Sequence, residues 1–186
     1  MLTRREILLG TSAAVVSLVA RSAIAEPVLT AEGLYSEPWF LQSFLDLRND
    51  LEEATKKGKR LAIMWSLKGC PYCKETHVVN FGDQAIVDYV RAHFEILQLN
   101  YIGSLPVTDF DGQSLSEKDL ARKNNVRFTP TFQFFSEPKT PNDKVSEVAR
   151  LPGYIEPQHF LAMFRFVKQR AYDRMTFGQF VKNGGT

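Results

Sequence analysis

Cysteine is scarce in this chain, and its scarcity limits the kinds of site that the sequence can build. The only two cysteines stand together in Cys70-Pro71-Tyr72-Cys73. A structural zinc site needs four ligands, and no second cysteine pair exists to complete one. His77 lies four residues after Cys73, so Cys70, Cys73 and His77 remain an alternative set of metal ligands on one helix face. A purely structural disulfide is a second alternative, although so short a loop removes little entropy from the unfolded chain.

An excess of positive charge is also lacking. The sequence has 23 Lys and Arg against 21 Asp and Glu, a formal net charge of +2. The first 25 residues hold three arginines and one glutamate, so the rest of the chain has no net charge. Nucleic-acid binding requires a basic patch or stripe, and the sequence contains none. These counts exclude nucleic acid as a partner.

Long apolar runs are missing except near the N-terminus. There, residues 7–20 form a stretch of about 14 residues, which is too short to span a bilayer comfortably. The stretch follows Arg4 and Arg5 and precedes the small-residue cleavage pattern Ala23-Ile24-Ala25. We therefore predict a removed signal peptide over residues 1–25, of either the twin-arginine or the ordinary secretory type, and a periplasmic location. Residues 26–186 are predicted to form a single domain.

The sequence around the cysteine pair predicts a redox site. Residues 60–67 are predicted to form a buried strand, Lys68-Gly69 a turn, and Pro71 the first position of a helix. A thiolate at a helix start is stabilised by unpaired backbone N–H groups and by the helix dipole. Two thiols at this spacing can close a disulfide and exchange two electrons through a mixed disulfide. Strand, turn, CxxC and helix in this order are typical of a thioredoxin active site.

Hydrophobic periodicity predicts an α/β fold, with a central mixed sheet flanked by helices. The expected strands are residues 60–67, 94–99, 131–136 and 144–151, the last two being antiparallel neighbours. The expected helices are residues 39–57, 71–80, 84–93, 116–124, 156–172 and 177–182. Asp111-Gly112 predicts a hairpin turn within residues 104–115. Residues 26–38 are expected to be a polar lead-in.

The dipeptide Thr129-Pro130 directly precedes a predicted strand. A proline in this position is awkward for a central strand unless it makes a special turn, and a plain loop proline is the alternative. Phe128 precedes this dipeptide and Tyr72 lies between the cysteines. We therefore expect Phe128 and Tyr72 to form an exposed apolar rim that meets a partner.

Three segments resemble the periplasmic thioredoxin-like proteins, and the nearest group is the SoxW-like thioredoxins associated with sulfur oxidation. These segments are residues 69–74, 126–131 and 150–154, and the resemblance extends over about residues 34–168. It implies a thioredoxin fold with an N-terminal helix, a β-hairpin insertion and a C-terminal helical extension. It also implies a cis proline at Pro130, packed beside the CxxC, with the backbone of Thr129 offered to an incoming peptide.

The resemblance further implies a role and partners. Disulfide-containing exported proteins are the expected substrates, and a thiol-transporting membrane protein is the expected electron donor. Cys70 is expected to attack the substrate disulfide and Cys73 to resolve the mixed disulfide. The redox-active disulfide Cys70–Cys73 is the expected active group, with no other cofactor and no metal. The sequence therefore predicts a monomeric periplasmic thiol:disulfide oxidoreductase that reduces its substrates.

Departures from cytoplasmic thioredoxins leave other activities open. Those proteins carry a buried aspartate six residues before the first cysteine, where this chain has Met64. Lys74 and Glu75 are candidates to replace that proton acceptor, although a solvated helix face is the simpler interpretation. The dipeptide Pro71-Tyr72 is typical of glutaredoxins. A disulfide oxidase or isomerase, a glutathione-dependent glutaredoxin, and a metal-binding chaperone using Cys70, Cys73 and His77 therefore remain alternatives.

Overall fold

The chain folds as a mixed sheet with helices packed on both faces. The structure is a computed structural model that describes residues 26–138, 140 and 143–185, so the predicted signal peptide lies outside the described residues. The strands are β1 (Val28–Leu29), β2 (Tyr35–Ser36), β3 (Arg60–Ser66), β4 (Phe94–Asn100), β5 (Pro106–Thr108), β6 (Ser114–Ser116), β7 (Thr131–Phe135) and β8 (Glu147–Pro152). The helices are α1 (Leu47–Lys56), α2 (Pro71–Glu75), α3 (Gln84–His93), α4 (Glu117–Lys123), α5 (Pro157–Lys168) and α6 (Phe177–Lys182). A π-helical turn, Thr76–Asn80, continues α2, and a 3₁₀ turn, Ala171–Asp173, follows α5.

The main sheet has the strand order β4-β3-β7-β8. Strand β3 runs parallel to β4 and antiparallel to β7, and β7 runs antiparallel to β8. All residues of β3 are buried, as expected for a central strand covered on both faces. The predicted α/β class and the antiparallel pairing of the last two strands are confirmed. Within the described ranges, no helix is both long and apolar enough to cross a membrane.

The side chains of β3 alternate between two apolar cores, because successive residues of a strand point to opposite faces. Ala62 and Met64 pack on the face covered by α3 and α5. Leu61, Ile63 and Trp65 pack on the face covered by α1 and α4. The strand that leads into the cysteine pair is therefore fixed from both sides.

The first predicted helix starts later than expected. The prediction placed its start at Trp39, whereas α1 begins at Leu47. Leu45 adopts a left-handed backbone conformation with φ 62°, and the side chain of Asp46 caps the first turn of α1. Phe44 lies within the predicted helix but is fully exposed, outside any regular element. The apolar spacing before Leu45 therefore belongs to an irregular segment.

The C-terminal region differs from the prediction in a similar way. The long helix predicted over residues 156–172 ends at Lys168, because Arg170 has a left-handed φ of 52°. Strand β8 begins at Glu147, three residues later than predicted. The short final helix is confirmed, with a capping box formed by Thr176 and Gln179.

Two insertions flank the sheet. The predicted hairpin is confirmed as β5 and β6, and Gly112 in its turn has φ 83°. Residues 26–38, expected to be a lead-in, instead contain the hairpin β1–β2. The segment that follows is tied to β4, since the Leu41 N–H donates to the Ile96 carbonyl at 2.8 Å. It lies between β2 and α1 and brings Glu37 into the interior, where its side chain is 1% exposed.

Candidate active site

Cys70 occupies the N-cap of α2. The chain leaves β3 at Ser66 and turns through Gly69, whose φ of 75° is readily adopted by glycine. Pro71 takes the first helical position, as predicted. The Sγ atom of Cys70 accepts a hydrogen bond from the Cys73 N–H at 3.1 Å. Cys70 therefore faces the positive end of the helix, and it is partly exposed.

Cys73 lies one turn further and is 2% exposed. Burial, followed by the hydrogen bond with Cys70, raises the pKa of the Cys73 thiol to about 12. The two sulfurs are thus chemically different. Cys70 can be reached by a macromolecular disulfide, whereas Cys73 can be reached from Cys70 but is shielded from solvent.

Thr129 and Pro130 lie against Cys70. Their peptide bond is cis, and Pro130 is buried. The Cys70 Sγ donates to the Thr129 carbonyl oxygen at 3.4 Å, and the Thr129 Oγ1 donates to that Sγ at 3.5 Å. The fold therefore brings together two motifs that the sequence separates by 59 residues.

A groove of about 430 Å³ begins beside Cys70. Its lining residues are Tyr72, Phe128, Thr129, Pro152, Gly153 and Tyr154. Tyr72 and Phe128 are 57% and 64% exposed, so the predicted apolar rim lies on the surface. The rim and the Thr129 backbone thus form one surface next to the Cys70 sulfur.

The sequence analysis missed one wall of this groove. The Gly153 N–H donates to the Pro130 carbonyl at 2.7 Å, and the rings of Tyr72 and Tyr154 stack with centroids 6.5 Å apart. Residues 150–154 carried part of the family resemblance, but no signal in the sequence placed them at the cysteines. Their position follows from the pairing of β8 with β7.

His77 does not complete a metal site with the cysteines. Among the described residues, no group of three or more His, Cys, Asp or Glu is arranged to hold a metal ion. The His77 Nδ1 instead lies 2.8 Å from the Glu37 Oε1. The described residues therefore give no geometric support to the ligand set of the metal-chaperone alternative.

Lys74 and Glu75 are exposed. The Lys74 ammonium lies over the Tyr35 ring, 5.8 Å from its centroid. Both side chains thus occupy the solvated face of α2, while Cys73 points to the interior. They are poorly placed to accept the proton of a buried thiol.

Comparisons with known proteins agree with this arrangement. The pattern of the thioredoxin-like domain family matches residues 47–168. A thioredoxin-fold protein from Helicobacter pylori is 22% identical with a TM-score of 0.54, over 69% of this chain and 80% of that one. A thioredoxin from Thermus thermophilus is 24% identical with a TM-score of 0.50, over 64% of this chain and 81% of that one. These structural similarities show the fold alone, and a search of curated proteins gives no match.

Proposed function

The chain belongs to the thioredoxin-like domain family and has the thioredoxin fold, and from that premise we propose that it is a thiol:disulfide oxidoreductase that reduces disulfides of exported proteins. One observation carries the proposal. The partly exposed Cys70 Sγ lies at a helix N-terminus, with the buried Cys73 one turn behind it. A structural disulfide pair would need neither an accessible sulfur nor a groove beside it.

The proposed reaction has two exchange steps. The Cys70 thiolate attacks one sulfur of the substrate disulfide, the S–S bond breaks, and the other substrate sulfur leaves as a thiolate. Cys73 then loses its proton and attacks the Cys70 Sγ, which releases the second substrate thiolate. Two electrons pass to the substrate, and the protein is left with a Cys70–Cys73 disulfide.

The groove is the proposed binding site for the substrate chain. The Thr129 carbonyl lies beside the Cys70 sulfur, and Tyr72, Phe128 and Tyr154 supply exposed aromatic surface around it. An extended peptide could pair with the Thr129 backbone, while its apolar side chains contact the rings. This surface suits a protein substrate better than a small thiol such as glutathione. It therefore supports reduction of protein disulfides over a glutathione-dependent glutaredoxin activity.

The proposed location is the periplasm, supported by the signal-peptide pattern over residues 1–25. A dithiol in an oxidising compartment must be reduced again after each turnover. We propose that a thiol-transporting membrane protein supplies these electrons. The proposal includes membership of the SoxW-like subgroup, a monomeric state and no cofactor beyond the cysteine pair.

Insulin reduction and a redox titration test the function. The purified protein without residues 1–25 should accelerate insulin reduction by dithiothreitol, and the Cys70→Ser variant should not. Equilibration with glutathione buffers should give a potential between about −180 and −270 mV. A potential of about −120 mV would instead favour the oxidase alternative, because a strong oxidant has a stabilised dithiol form.

A further inference from the structure

The buried face of the active-site helix is polar. The side chains that α2 and the following π-helical turn direct to the interior are Cys73, Thr76, His77 and Asn80. The outer face carries Val78 and Val79, which are 52% and 41% exposed. A helix that packs on an apolar core ordinarily shows the opposite pattern. The polar face therefore calls for an explanation beyond packing.

His77 and Glu37 form a buried pair on this face. Their side chains are 0% and 1% exposed, and the Nδ1 and Oε1 atoms are 2.8 Å apart. When Glu37 is ionised its carboxylate can only accept, so the Nδ1–H donates and the Nε2 of a neutral imidazole carries the free lone pair. Neither the His77 Nε2 nor the Glu37 Oε2 has a hydrogen-bond partner among the described residues.

Such a pair is costly in an apolar environment. The His77 ring lies against Phe40 and Phe81, with centroids 5.7 and 5.8 Å away. Burying polar atoms without partners costs free energy, and a buried ion pair often stabilises a fold less than apolar residues would. Stability alone therefore does not account for the pair. The unpartnered His77 Nε2 is free to accept a proton.

Cys73 is the buried ionisable side chain of α2. It lies four residues before His77, and both side chains are buried. Residues at this spacing on a helix have Cβ atoms about 5–6 Å apart. Burial raises the pKa of Cys73 to about 12, so few molecules carry its thiolate at neutral pH. An internal base at this position would therefore speed the second exchange step.

We propose that His77, oriented by Glu37, accepts the proton of Cys73 when Cys73 resolves the mixed disulfide. This inference rests on the proposed function. The Cys73 S–H bond breaks, its electron pair attacks the Cys70 Sγ, and the substrate sulfur leaves as a thiolate. The proton passes to the His77 Nε2, and the imidazolium is stabilised by the Glu37 carboxylate. His77 is the proposed base, and Glu37 is a positioning residue.

The ionisable groups around His77 leave Glu37 as its direct partner. The cysteine helix, the turn after Phe81 and the first turn of α5 carry, in addition to Glu37, the ionisable residues Cys70, Tyr72, Cys73, Lys74, Glu75, Asp83, Glu156 and His159. Of these, Tyr72, Lys74, Glu75, Asp83, Glu156 and His159 are exposed. Solvent screens exposed charges. Glu37 is therefore the buried ionisable group in direct contact with the imidazole.

The two exchange steps can be timed separately with the aromatic disulfide DTNB. Attack by Cys70 on equimolar DTNB releases one nitrothiolate, and resolution by Cys73 releases the second. The His77→Gln variant should slow the second release about tenfold or more at neutral pH, on the scale of general-base catalysis. The first release should stay within about twofold of wild type. The deficit in the second release should shrink as the pH rises, because solvent then deprotonates Cys73.

The Glu37→Gln variant removes the negative charge of Glu37 but keeps a side chain of nearly the same shape. Glutamine can still accept from the His77 Nδ1–H, but it cannot stabilise the imidazolium. The second release should therefore slow in this variant too, with a changed pH profile. Matched controls are Asp50→Asn, which alters a buried carboxylate on α1, and His93→Gln, which alters a histidine at the end of α3. Both controls should leave the second release unchanged.

Different results would overturn the inference about His77 and the proposed function. An unchanged second release in folded His77→Gln and Glu37→Gln overturns the inference, as does equal slowing of both releases. If His77→Gln does not fold, the Glu37→Gln result alone decides. If the wild-type protein releases fewer than two nitrothiolates, the proposed function itself fails, whatever the variants do.

Discussion

The difference between the two sulfurs leads to a quantitative prediction about alkylation. Burial is the leading cause of the shift that raises the Cys73 pKa from 9.0 to about 12. Three pKa units lower the thiolate fraction at neutral pH about a thousandfold, and only the thiolate reacts with iodoacetamide. Cys70 contributes part of this shift, so replacing Cys70 by serine should lower the Cys73 pKa somewhat. Because burial remains, we expect Cys73 in folded Cys70→Ser to react at least about a hundredfold more slowly than an unperturbed thiol.

The assay compares each variant with its own denatured form. Folded and urea-denatured Cys70→Ser are treated with iodoacetamide at neutral pH, and adducts are counted by mass spectrometry over time. Cys73→Ser is the matched variant, and its partly exposed Cys70 should be alkylated readily in the folded protein. A folded Cys73 that reacts within about tenfold of the denatured rate would refute the assignment of a shielded, weakly acidic thiol.

The same variants report the roles of the sulfurs in cells. In Cys73→Ser the attacking sulfur remains, but the mixed disulfide cannot be resolved. This variant should therefore accumulate adducts with exported proteins on non-reducing gels, and Cys70→Ser should accumulate few or none. Adducts on Cys70→Ser alone would reverse the two roles.

Three further predictions concern the groove, the fold and export. Phe128→Ala should slow insulin reduction about fivefold while leaving the first nitrothiolate release from DTNB unchanged, because one contact worth about 1 kcal/mol is lost from a protein substrate. Equal slowing with insulin and with DTNB would contradict the proposed contact between Phe128 and a protein substrate. Arg60→Ala should lower the free energy of unfolding in urea by about 3 kcal/mol, because it leaves a buried carbonyl and a tyrosine hydroxyl without their donor. Arg170→Ala, at an exposed ion pair, should change it by less than about 1 kcal/mol, and a similar loss in both would contradict the burial argument. N-terminal sequencing of periplasmic material should start at Glu26, and a membrane-bound chain that retains Met1 would show that the signal is not removed.

Local signals made much of the active-site region predictable. A buried strand, a turn with glycine, an N-cap thiol and a proline at the first helical position follow each other without a break from Arg60 to Cys73. Each depends on the backbone preferences of a few adjacent residues. Asp83 and Thr176 cap the helices predicted after them for the same reason.

The missed features depend on contacts between distant parts of the chain. The apolar spacing around Phe40 resembles that of a helix, yet Phe40 packs with the α3 and α5 side of the sheet, whereas α1 packs on the other. The chain changes direction at Leu45, which has a left-handed backbone conformation. Leucine rarely adopts this conformation, so the sequence does not predict the turn. Tyr154 reaches the groove through strand pairing. Neither contact has a local sequence signal.

The pairing of Glu37 with His77 joins a residue outside the family match to one inside it. The family match covers residues 47–168, so it includes His77 and both cysteines but not Glu37. Six residues before the first cysteine, β3 has the fully buried Met64 and no carboxylate. A buried carboxylate enters the interior from the segment after β2 instead, and it meets an imidazole on the cysteine helix itself. Leu41 anchors this segment to β4, so the carboxylate partner of His77 is held by residues outside the matched region. A family pattern confined to residues 47–168 therefore includes the proposed base, His77, but not the carboxylate proposed to position it.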